Sequence, residues 1–255
     1  MDRIAVINVS TVLSDAAILP MVAAVQKQID EHFYPAWGTP AQLQFIPTGQ
    51  RPPAGYWQAA ILDNADQAGA LGYHDITIEG LPLAKIFAAT DLKYGYLVPV
   101  TLSHEILEML ADPDVNLLVA DVRRVRRFWA YEVCDAVEAD RLGYDIVVPN
   151  SASPTGSSTV RVSDFVTPAY FETFRRTGPF DYLNHLNGPV PALTPGGYMA
   201  YVQDGVWHQV FAKKSQSMTM QARDCYQARP TQGGRRYRRA LRRKDWIHST
   251  VDIES

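Results

Sequence analysis

Residues 101–112, TLSHEILEMLAD, carry one imidazole and three carboxylates at helical spacing. At ~100° per residue, with His104 as origin, Glu108 falls at roughly 40°, Asp112 at roughly 80° and Glu105 at roughly 100°. Ile106, Leu107, Met109, Leu110 and Ala111 fill the rest of the circumference, so the helix is apolar on most sides and its polar face looks into the protein. Three acids on one face, with no Lys or Arg within the turn, repel one another unless a cation lies among them. An imidazole and carboxylates are ligands for a divalent transition metal, and a neighbouring carboxylate can accept a proton from water. The plainer alternative is an acidic stripe facing solvent.

The stretch His104-Glu105-Ile106-Leu107-Glu108 differs by one residue from H-E-x-x-H, in which two histidines hold zinc and the glutamate serves as base. By position His104 and Glu108 are ligands and Glu105 is the general base. Two residues compete for third ligand. Asp114 lies in the same run, but Ala111 stands where a sharp turn calls for glycine and Pro113 intrudes. Glu132, in Tyr131-Glu132-Val133-Cys134-Asp135, is separated enough to return on a second helix, and it is the preferred choice. Asp112 and Asp135 suit the orienting of the free nitrogen of His104, although Asp112, before Pro113, also suits the end of a helix. Tyr73, His74 and Tyr170 are candidates for stabilising a developing oxyanion. One imidazole and two carboxylates around a dication leave no net charge. Such a centre is a weaker Lewis acid than the two-histidine site, and Mn²⁺ or Fe²⁺ compete with Zn²⁺ for it.

The blocks SHEILEMLADP, YEVCDAVEAD and VSDFVTPAYF resemble a group of bacterial and phage-associated proteins of zincin type. LGYHD and LAKIFAATDL resemble the loop and sheet edge that precede a zincin active-site helix, and the likeness covers roughly residues 1–210. It implies a metallopeptidase-like fold, one transition metal (zinc first), a peptide or protein substrate, and a gluzincin-type third ligand at Glu132.

The elements that must position these residues read as a mixed α/β sheet. IAVINVS is a buried strand, and a helical pattern follows from about Asp15 to Phe33, closed by Pro35 and Gly38. AQLQFIP, WQAAILD, LAKIFAATD, GYDIVV and VRVSDFVTP read as strands, and GYMAYVQDGVWHQVF as a hairpin turning at Asp204-Gly205. Residues 64–80 and 178–197 read as loops, SASPTGSS as a connection, and Arg123–Arg127 as a solvated basic loop.

The chain has 255 residues and a net charge of −3, which conceals an acidic body (1–212, −10) and a basic end (213–255, +7). Residues 1–212 are thus the metal-binding domain and 213–255 a basic tail. That tail suits docking on the acidic body, its own or a second copy's, ahead of nucleic-acid binding. The absence of a long apolar run excludes a spanning helix. Cys134 and Cys225 have no metal spacing, and a cytoplasmic setting is the default. Two functions remain: a metal-dependent hydrolase of peptidase type, or a non-catalytic assembly protein, virion-associated if phage-encoded.

Overall fold

The computed structural model describes residues 1–66, 70–149 and 156–212. The basic tail and most of the SASPTGSS connection lie outside the described residues.

In chain order the elements are β1 (Asp2–Asn8), α1 (Asp15–Gln28), α2 (Tyr34–Trp37), β2 (Ala41–Ile46), β3 (Trp57–Leu62), β4 (Gly72–Ile76) and β5 (Pro82–Phe87). They continue as α3 (Ala88–Tyr94), α4 (Val98–Ala111), β6 (Leu118–Ala120), β7 (Arg127–Ala130), β8 (Tyr144–Pro149), β9 (Ser157–Val162), α5 (Pro168–Phe171), β10 (Tyr198–Gln203) and β11 (Val206–Phe211). Five strands form a sheet in the order β2-β1-β3-β5-β4. β1, β2, β3 and β5 are parallel, and β4 runs antiparallel to β5 at one side. The fold is α/β, as the sequence indicates. β1 lies between β2 and β3 and is buried without a break from Ile4 to Asn8, with Ile4 and Val6 in the main core and Ala5 and Ile7 packed with Ile46 in a second cluster.

The first helix opens on Ser14, whose side chain accepts from the Ala17 N–H. It runs through a π turn at Ile29–Phe33 into α2, which Gly38 ends in the left-handed region at φ 73°. α4 begins with Pro99 in its first turn and packs on β4, β5 and β9. Its apolar residues Leu102, Ile106, Leu107, Met109 and Leu110 join the main core, together with Val6, Ile61 and Ile86 of the sheet.

Three expectations need correction. Residues 64–80 are not all loop, since Gly72–Ile76 pair with β5 as β4, His74 opposite Ala84. LAKIFAATD is a strand only to Phe87 and then turns into α3. The segment carrying Glu132 is not a second helix: β7 ends at Ala130, and after an irregular stretch Asp135–Val137 make one 3₁₀ turn. β7 belongs instead to a second, antiparallel sheet ordered β11-β10-β7-β6. β8 and β9 form a separate hairpin. β10 and β11 meet at Asp204 and Gly205, with φ of 50° and 80°, the positive-φ pair a two-residue hairpin turn requires. Among the described residues no helix is long and apolar enough to cross a membrane.

Candidate metal centre

α4 sets the polar face that its sequence spacing requires. His104, Glu105, Glu108 and Asp112 are all buried, at 7%, 5%, 0% and 0% exposure. Glu108 is the hub. Its Oε1 lies 3.4 Å from His104 Nε2, and its Oε2 lies 3.4 Å from His74 Nδ1. His104 Nε2 is also 3.4 Å from Asp135 Oδ1, and Glu105 Oε2 is 3.9 Å from His74 Nδ1. Donor atoms of His104, Glu108 and Asp135 lie within 4.8 Å of one another, as do those of His74, Glu105 and Glu108.

Each side chain is fixed by its element. His74 comes from β4, on the strand face that looks at α4. Gly72, two residues earlier and on the same face, has no side chain in the way. A Cβ there would stand 2.8 Å from Glu105 Cγ and Oε1. Asp135 starts the 3₁₀ turn after β7. That turn is held from outside by Thr194, whose N–H and hydroxyl both donate to the Ala136 carbonyl, at 3.0 and 3.1 Å. Gly197 lies so close to that carbonyl that a Cβ would stand 2.2 Å from it. The 178–197 loop, irregular as expected, therefore buttresses the site. The Cys134 N–H donates to Glu108 Oε1 at 3.3 Å, tying this segment to α4.

The field inside the site is set by its acids. Burial opposes the His104 imidazolium, yet Glu108, with Asp135, outweighs burial and holds its pKa well above the usual histidine range. Burial pushes the Cys134 thiol up, so it stays neutral. Asp91 of α3, fully enclosed, is raised well above the carboxylate range, first by burial and further by Asp140 and Glu138 against a hydrogen bond from Thr101. No signal in the sequence marked Asp91, because its neighbours come from α4 and the 138–140 segment.

The structure sorts the candidates. His104, Glu105, Glu108, His74 and Asp135 come together. Glu132 is buried, and Asp135, three residues on, brings a carboxylate oxygen to 3.4 Å from His104 Nε2 where a strand and a 3₁₀ turn replace the expected helix. Tyr73 stands on the opposite face of β4 from His74; its hydroxyl donates to Asp66 at 2.8 Å and accepts from Lys85 at 2.8 Å. Tyr170 donates to the Ala192 carbonyl at 2.8 Å. Asp112 ends α4, its carboxylate accepting the N–H groups of Asn116 and Leu117 at 2.9 to 3.2 Å, so it clamps the turn after the helix. Asp114 is exposed.

A third group, Asp164, Asp181 and His185, also brings donor atoms within 4.8 Å of one another. Its carboxylates accept N–H groups of Phe165, Leu183, His185 and Leu186, which makes it a clamp for the 181–186 loop. Asp164 is pushed up to about 8, first by burial and then by Asp181 beside it.

No family model matches the chain, and neither a curated protein nor a solved structure matches it.

Proposed function

We propose that the protein is a metal-dependent hydrolase, of peptidase type, with one divalent transition metal held by His104, Glu108 and Asp135. The observation that carries this is the set of 3.4 Å separations from His104 Nε2 to Glu108 Oε1 and Asp135 Oδ1. Ligands bound at about 2.0–2.1 Å in a tetrahedron stand roughly 3.3–3.4 Å apart. The donor set fits Zn²⁺, and its two carboxylates also admit Mn²⁺ or Fe²⁺. When bound, the ion supplies Lewis acidity and lowers the pKa of water. Glu105, on the same helix face, takes the proton of the attacking water and returns it to the leaving amine. His74, with Nδ1 3.9 Å from Glu105 Oε2, orients that carboxylate. The peptide substrate class rests on the zincin resemblance of the α4 block.

One observation favours a second reading, a metal-held assembly protein without hydrolysis. Of the site residues His74 and Glu108 are fully enclosed, while His104 and Glu105 show less than a tenth of their surface; structural metal sites are the closed ones. Elemental analysis of purified protein, then a peptide-mixture digest by wild type and Glu105→Gln, tests the proposal. Stoichiometric metal with turnover lost in the variant is expected. Turnover equal in both would reject the hydrolase.

A further inference from the structure

The two donor groups share Glu108 and nothing else. Neither holds both imidazoles, although each imidazole stands 3.4 Å from its own oxygen of that one carboxylate. A single ion bound by both histidines would draw their nitrogens into one group. We propose that His74, Glu105 and Glu108 form a second cation position, so that the Glu108 carboxylate bridges two divalent transition-metal ions. This rests on the reading of His104, Glu108 and Asp135 as the first.

Two further observations support it. The His74 Nδ1–Glu108 Oε2 separation repeats the 3.4 Å tetrahedral edge of the first position, and Glu105 Oε2 at 3.9 Å falls within the spread of a wider coordination shell. Finally, the identity of residue 108 acquires a reason. A histidine in its place would present two nitrogens pointing away from each other. A glutamate offers two oxygens on one side, suited to ions about 3.5–4 Å apart, the spacing of two-metal hydrolytic centres. In this arrangement Glu105 holds the second ion through Oε2 and keeps Oε1 for the proton. Gly72 leaves room for that side chain beside the strand.

The test loads full-length protein, stripped with chelator, with Zn²⁺ and counts ions per chain after dialysis; a parallel Mn²⁺ loading is read by electron paramagnetic resonance. Two equivalents and an exchange-coupled Mn²⁺ spectrum are expected for wild type. His74→Ala should hold one equivalent and give an isolated-ion spectrum. One equivalent in wild type, with an uncoupled spectrum, overturns the bridged pair and leaves the His104 position standing. No bound metal at all overturns both. The wild-type count and spectrum decide the matter even if His74→Ala fails to fold.

Discussion

Gly72→Ala puts the geometry of the site under direct strain. The added Cβ would meet Glu105 Cγ and Oε1 at 2.8 Å and Thr101 Cγ2 at 2.9 Å, against a carbon–carbon optimum of about 3.5–4.0 Å. Three contacts are thus too short together, by roughly 0.6–1.2 Å each on that scale. Thr101 cannot yield easily, being β-branched on a helix. Either β4 and α4 separate or Glu105 swings away. The first outcome is overpacking and costs about 1–3 kcal/mol. The second removes a general base, for a loss of about 10²–10⁴ in turnover. Urea unfolding and peptide-digest rates measured on the same preparation separate the two, and Thr101→Ser should recover part of any stability loss. A Gly72→Ala protein equal to wild type in stability, metal content and turnover would refute the packing of Glu105 against β4.

Three further outcomes follow from the same structure. Asp112→Ala should cost about 0.5–1.5 kcal/mol in urea unfolding, because the part-buried N–H groups of Asn116 and Leu117 lose their acceptor, while metal content stays at the wild-type value; lost metal would return Asp112 to the site. The folded pKa of Asp164, about 8, lies above its ordinary 3.8, so the native state keeps a proton that the unfolded chain releases. Its stabilising contribution is complete below pH 4 and is lost as pH rises toward 8, with a slope of at most about 1.4 kcal/mol per pH unit. Asp164→Asn should flatten that slope across pH 5–8, and parallel curves for the two proteins would contradict the assignment. Chelation should lower the melting temperature, since an ion at 100 times its Kd adds about 2.7 kcal/mol to folding; an unchanged melt would deny the ion a place in the native state.

How far the sequence discloses these features depends on how local their causes are. α4 and its polar face are legible because helical spacing alone aligns His104, Glu105 and Glu108 while the apolar residues fill the other sides. β1 declares itself through an unbroken apolar run, and the β10–β11 hairpin through Asp204-Gly205. β4 does not, because His74 and Asp75 are buried polar residues that mask the strand pattern; only pairing with β5 makes it a strand. The same cause hides the value of His74, which reads as a loop residue until the sheet brings it to 3.4 Å from Glu108. Preferring Glu132 over Asp135 assumes a helix after α4. Both residues are acidic and buried, and the change from strand to 3₁₀ turn after Ala130 is what sets Asp135 beside His104. Asp91 is legible in neither way, since nothing in its own stretch announces the acids that surround it.

The His104–Glu108–Asp135 centre is tested most directly by metal per chain in wild type, Asp135→Ala and Glu132→Ala, measured by elemental analysis on folded, dialysed protein. Such a centre requires stoichiometric metal in wild type and in Glu132→Ala, and a loss of at least one equivalent in Asp135→Ala. A metal-free wild type, or metal lost with Glu132 and kept without Asp135, would contradict it.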